Sequence, residues 1–426
     1  MDLSRQPPRR PSSLSVAGIA AVARLTDKAR AHANETLGNF VYGNDSGLDR
    51  ITLEFLGLDA EDFAEAADRY TDAELANWIR HATDLEEGAI AAFNEHHLRR
   101  QPDEAGRGRL EDRIARYQPA EVPTTVFGSI ELDDWGTFRE CDLVAHAPRS
   151  PYDRSVAGIY GLARMADKAR ADRSRKLNDY IYDCPIDQAI TAFTGFTAVD
   201  FQEAAWLNPN DIELTEWVDA ACDRSDAERT AFNAAIASRA PADDPERDIF
   251  DRTLARVAPG RIDVTAWFDL LDLDDESSYG TTDLTRHPPR SVFDNTVGGI
   301  VHLARMIDKA RALNDRTLGD FWYGEDSGFD RALLDYLGRT PDDFAALVAG
   351  ASSDEDVVAA LDLKSESDRE AFGNDLTCLA PDSDAGVDRM RRLVEALDPS
   401  RSDITTSAAL TQLDDAVTWS RRKAGI

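Results

Sequence analysis

The sequence predicts an all-α protein built as three tandem homologous helical domains of about 140 residues each. Three observations predict it. The word RLTDKAR at residues 24–30 returns as RMADKAR at 164–170 and as RMIDKAR at 305–311, at offsets of 140 and 141 residues. Around that word the copies align without a gap for 41 residues, from Asp2, Asp142 and Asp283 to Tyr42, Tyr182 and Tyr323. Apolar residues recur at helical spacing, as in DAELANWIRHA and EEGAIAAFNEHHL, and alternating strand patterns are scarce. The period is far above the roughly 20–50 residues of solenoid repeats, so whole domains in series are expected, with boundaries at 1–141, 142–282 and 283–426.

In chain order, each copy opens on a Pro-Arg segment (Arg9, Arg149, Arg290) and passes through a glycine (Gly18, Gly158, Gly299) into the helix that carries the repeated word. Ser15 and Thr36 read as caps of short helices. LEFLG, TAFTG and LDYLG follow, then Asp-Phe, then a helix with ELANWI, ELTEWV or DVVAAL, introduced in the first copy by the capping box Thr71-Asp72-Ala73-Glu74. Near the end of the copies TTVFGSIEL aligns with TAWFDLLDL, which reads as a short helix rather than a strand. Six or seven helices per copy are expected.

Charge bounds the partners. The chain has 80 acidic and 48 basic side chains, a net charge of -32, and only six of the basic residues are lysines. Acid spread along the whole chain with little lysine suits a protein adapted to high salt and resident in the cytoplasm. It argues against nucleic acid and anionic membranes as partners, which need a basic face. Cys141, Cys184, Cys222 and Cys378 form no CxxC pair and no HExxH is present, so neither metal nor cofactor is expected. Arg9-Arg10 before SLSVAGIAAVA resembles a twin-arginine export signal, but the same pattern recurs inside the chain, so it is expected to be part of the fold. His96 and His97 are adjacent, point apart on a helix and read as structural.

On a helical projection Ile19, Val22, Leu25, Thr26 and Ala29 share one arc, as do their counterparts from Ile159 and Ile300 onward, and Arg24, Asp27, Lys28 and Arg30 lie on the far side. The plainest reading of that far side is a solvated face with ion pairs three residues apart. Against it, the charged letters persist while the core letters change, and three of the six lysines are Lys28, Lys168 and Lys309 in an arginine-rich chain. Two readings remain: a buried ion network in which every donor is paired, or a ligand site beside a solvent-reachable hollow. The candidate ligand-binding residues are Arg9, Arg24, Asp27, Lys28, Arg30 and Tyr42 in the first copy. Arg149, Arg164, Asp167, Lys168, Arg170 and Tyr182 correspond in the second, and Arg290, Arg305, Asp308, Lys309, Arg311 and Tyr323 in the third.

The PPRSP-like opening, the GI..LARM.DKAR helix, the tyrosine downstream and the CPID of the second copy resemble DUF5069, a family of unknown function, three times over essentially the whole chain. The resemblance implies no activity, substrate or cofactor. Cys184-Pro185 gives way to Asp45-Ser46-Gly47 and Asp326-Ser327-Gly328, in loops two residues longer, so thiol chemistry is not expected as a shared function; a small cysteine before a first-turn proline is. The leading expectation is a binding or regulatory module for a small anionic or mixed-charge ligand or an acidic peptide, one site per copy. An enzyme using the Asp-Lys pair, with lysine as base or Schiff-base nucleophile, and a purely structural network are the alternatives.

Overall fold

The computed structural model describes residues 1–258, 261 and 263–424. Among them are 21 α-helices and no strand, seven helices to each repeat. In the first copy these are α1 (Val22–Ala33), α2 (Gly47–Leu56), α3 (Ala60–Arg69), α4 (Asp72–Ala82), α5 (Glu87–Arg99), α6 (Glu104–Tyr117) and α7 (Val126–Phe138). The second has α8 (Leu162–Arg173), α9 (Pro185–Thr194), α10 (Ala198–Leu207), α11 (Asp211–Ala221), α12 (Asp226–Ala237), α13 (Asp244–Val257) and α14 (Trp267–Tyr279). The third has α15 (Leu303–Asp315), α16 (Gly328–Leu337), α17 (Pro341–Ala349), α18 (Asp354–Ala359), α19 (Glu366–Thr377), α20 (Asp384–Leu397) and α21 (Ser407–Ala424). TTVFGSIEL and TAWFDLLDL do form helices, α7 and α14.

By compactness the chain divides into two units, residues 1–145 with 153–225, and residues 146–152 with 226–426. The division falls between α11 and α12, inside the second repeat. Within the first unit the opening segment is held against the α10–α11 region: Arg10 N donates to Glu213 Oε1 (2.7 Å), Asp211 N donates to Gln6 Oε1 (2.8 Å), and Asn210 Nδ2 donates to Pro7 O (2.8 Å). The twin-arginine segment is therefore folded, with Arg9 fully buried.

The helix of the repeated word starts later than its apolar pattern suggests. Residues 15–21 form turns, with Ala17, Gly18 and Ala21 at positive φ, and Ser15 caps nothing. Thr36 lies beyond the end of α1 and its hydroxyl donates to Met1 O (2.7 Å). The capping box at Thr71 and Glu74 is present. Ile19, Val22, Leu25 and Ala29 pack with Phe63, Leu75 and Ile79 in one core, and Ile300, Leu303, Met306, Ile307 and Ala310 pack with Phe344 and Val357 in another. Phe63 and Phe344, from the Asp-Phe motif, are fully buried.

Candidate functional site

The charged word is not a solvated face. Arg24, Asp27 and Lys28 are as buried as the apolar arc of α1, and α8 and α15 are likewise covered on both sides. Burial at this level requires partners. In the first copy Asp27 turns away from its own helix toward the opening segment, accepting from Arg9 N (2.8 Å), Arg9 Nε (3.0 Å) and Arg9 Nη2 (2.7 Å). Arg9 Nη1 continues to Asp72 Oδ2 (2.5 Å), and the other oxygen of Asp72 receives Arg30 Nη1 (2.7 Å). Arg30 also donates to Ala67 O and Tyr70 O, closing the carbonyl end of α3. Arg24 Nη1 donates to Asp134 Oδ2 on α7 (2.5 Å), and its guanidinium lies over the Phe40 ring.

Lys28 explains why arginine was not equivalent. Its Nζ sits between Asp49 Oδ2 (2.6 Å) and Ser46 Oγ (3.1 Å), and Asp49 Oδ2 also accepts from Gly43 N. The pocket is a helix start, with Ser46 as the N-cap of α2, and it admits a compact ammonium rather than a planar fork.

The third copy repeats the pattern. Asp308 accepts from Arg290 N (2.9 Å) and Nη2 (2.7 Å), Asp354 bridges Arg290 and Arg311, and Arg305 Nη1 donates to Asp415 Oδ2 (2.6 Å). Lys309 Nζ donates to Asp330 Oδ1 (2.5 Å), Ser327 Oγ (3.3 Å) and Trp322 O (3.0 Å). Burial outweighs the attraction of Asp330 and brings Lys309 down to about 8. Burial also lowers Lys28, again against the pull of Asp49. In the second copy Lys168 Nζ donates to Asp187 Oδ2 (2.7 Å), Ile181 O (3.1 Å) and Cys184 Sγ (3.3 Å), so the cysteine stands where the serine hydroxyl stands in the other two. Cys184 is the N-cap and Pro185 the first residue of α9. Arg170 donates to Ala205 O and Asn208 O; Arg164 and Asp167 are buried and Arg149 half-buried.

The three tyrosines do not present their hydroxyls to solvent. Tyr42 donates to Ala60 O (2.7 Å), Tyr182 to Ala198 O (2.5 Å) and Tyr323 to Pro341 O (2.9 Å), and burial raises all three phenols above their ordinary value. The sequence reading missed the carboxylates that answer the cations: Asp49, Asp187 and Asp330 for lysine, Asp72 and Asp354 for the arginine pair, and Asp134 and Asp415 for Arg24 and Arg305. The signal was their recurrence in register near helix starts and on α7 and α21.

Two hollows lie in the second unit beside the third copy's network. One, of about 780 Å³, is bordered by Arg290, Asp308, Arg311 and Asp354 together with Arg261 and His287. The other, of about 520 Å³, is bordered by His302, Arg305, Lys309, Phe321, Trp322 and Trp419. No group of metal-binding side chains is found among the described residues, and no helix among them is long and apolar enough to cross a membrane.

Fold and network together define a helical protein made of three repeats of one unit, each with a buried lysine–aspartate pair that ties the repeated word to the start of the next helix. The chain belongs to the DUF5069 family, "Domain of unknown function (DUF5069)", whose model matches residues 5–135, 145–277 and 286–417. Among curated proteins no match to this chain is found.

Proposed function

We propose that the chain is a tandem small-molecule-binding module, in which the buried pairs of the repeated word form a rigid wall and the third copy takes a small ligand with an anionic group. The observation that carries this is the hollow of about 780 Å³ lying directly beside Arg290, Asp308, Asp354 and Arg311. Its size suits a small organic ligand. Arg256, Arg261, Arg290 and Arg311 line it, as does His287, which Glu276 at 2.9 Å raises above the usual histidine value although burial works against it. Glu276, Asp308, Asp315, Asp354 and Glu355 line it too, so the wall has both signs and suits a ligand with a carboxylate or phosphate offset by an ammonium. Of the two network arginines on this wall, Arg311 is the better placed to grip, since its side chain is 29 % exposed against 14 % for Arg290.

Catalysis by the lysine draws no support from the geometry, because Lys309 spends its three protons on Asp330, Ser327 and Trp322. The test is titration calorimetry of the full chain with glutamate, succinate and inorganic phosphate, repeated on Arg311→Gln. Binding by the native chain and at least tenfold weaker binding by the variant, at an unchanged melting temperature, is expected; no heat from any probe sinks the reading. The stoichiometry reads how many copies take part, Arg30 and Arg170 being the counterparts of Arg311.

A further inference from the structure

The third copy departs from the other two where its word helix begins. The residue in the left-handed turn before that helix is Ala21 in the first copy and Gly161 in the second, but His302 in the third. The imidazole is 1 % exposed, and its Nε2 lies 2.7 Å from Asp330 Oδ1, the oxygen that also receives Lys309. Its Nδ1 is buried and has no hydrogen-bond partner among the described residues. Asp330 is held below the ordinary carboxylate range by His302 and Lys309 although burial opposes it, so Nε2 carries the proton and Nδ1 keeps a bare lone pair. Burial, with Lys309 and Arg305 adding to it against the pull of Asp330, keeps the ring neutral near physiological pH.

His302 borders the hollow of about 520 Å³, whose other walls include Phe321, Trp322, Phe329 and Trp419. Trp322 is 72 % exposed, an unusual place for so large an apolar group. The charges around the hollow do not balance. Arg305 is taken by Asp415, Lys309 by Asp330 and Arg422 by Asp320, while Asp326 and Asp414 have no ion-pair partner among the described residues.

A buried acceptor without a donor, surplus carboxylates and aromatic faces all ask for the same occupant. We propose that this hollow binds a small organic ammonium cation bearing N–H groups, which donates to His302 Nδ1, is balanced by Asp326 and Asp414, and rests against Trp322 and Trp419. The site rests on His302, which the other two copies lack, and is distinct from the Arg290 hollow, with which it shares no lining residue.

The experiment is calorimetric titration of the full chain, at fixed ionic strength, with benzylammonium, tetramethylammonium and benzoate, beside ¹⁵N-histidine NMR. Benzylammonium should bind once per chain, tetramethylammonium, with charge but no donor, at least tenfold more weakly, and benzoate not at all. The His302 Nδ1 resonance should move only with benzylammonium. His302→Ala installs the residue that the first copy already holds at φ 66, so the fold should survive; Asp414→Asn alters an exposed residue. Each should weaken benzylammonium at least tenfold. The proposal is overturned if benzylammonium does not bind at millimolar concentration, if benzoate is preferred, if Asp414→Asn binds as the native chain does, or if the Nδ1 resonance ignores every probe, as it would were the partner only a trapped water.

Discussion

Replacing Asp308 by Asn tests whether the repeated word is structural cement. Asp308 receives both the backbone and the guanidinium of Arg290, and Arg290 holds it below the usual carboxylate range although burial pushes the other way. The substitution keeps the size but removes the charge, leaving the Arg290 side chain, 14 % exposed, with Asp354 as its remaining carboxylate. Breaking one partner of a buried pair costs about 3–5 kcal/mol. For a unit of roughly 200 residues that is a drop of about 6–20 °C in melting temperature. The matched control is Asp388→Asn, whose pair with Arg391 is 2.9 Å long against 2.7 Å but has side chains 55 % and 70 % exposed. Such a pair contributes at most about 1 kcal/mol. Scanning calorimetry of both variants at pH 7 and one salt concentration decides the matter. If Asp308→Asn melts within about 2 °C of the native chain, or falls no further than the control, the network is not what holds the opening segment to its helix.

Acid should act through His302, whose folded value near 4 lies below the ordinary 6.5. The unfolded chain then takes up the proton first, so stability falls as pH drops from about 6.5 to 4, by about 3 kcal/mol in the limit, and His302→Ala should flatten that slope in urea titrations at stepped pH. Cys184→Ser puts into the second copy the hydroxyl that Ser46 and Ser327 offer their lysines, so its melting temperature should stay within a few degrees of the native one; a collapse would show that the thiol does more than face Lys168. With a net charge of -32, melting temperature should climb as KCl is raised from dilute to molar, and an unchanged value would remove the reading of high-salt adaptation.

The helical class and the threefold repeat were legible because both are periodic, and periodicity survives in one dimension. The apolar arc of the word helix was legible for the same reason. Its charged arc was legible as a shared face but left open between a buried network and a ligand site, because a projection shows which residues share a face, not what covers that face. The cover comes from Asp72, Asp134 and Asp49, which lie 45, 107 and 22 residues beyond Asp27 and look locally like helix-start acids or ordinary surface acids. Ser15 was misread as a cap because the turns at 15–21 depend on positive φ at Ala17 and Ala21, which those residue types do not announce. The unpaired nitrogen of His302 had no sequence signal at all, since it depends on the hollow beside it.

The network also accounts for the pattern that first set the word apart, constant charges among changing apolar letters. A core position asks mainly for volume, and Leu25, Met165 and Met306 answer it almost equally well while neighbours repack. A buried ion pair asks for one length, one shape and one sign. Asp27 spans one backbone and two side-chain donors of Arg9 at once, so a longer glutamate would displace the opening segment. Lys28 reaches Asp49 with a single nitrogen at 2.6 Å, where an arginine would need room for two more. A change at a fully desolvated member such as Asp27 or Lys28 strands a partner out of water, and two compensating changes must arise together. Duplicated copies therefore drift where packing is forgiving and stay fixed where desolvated charge is not. Such constancy alone names no ligand, so the readings of function rest on the hollows beside the fixed frame: the one at Arg290 and, where the copies differ, the one at His302.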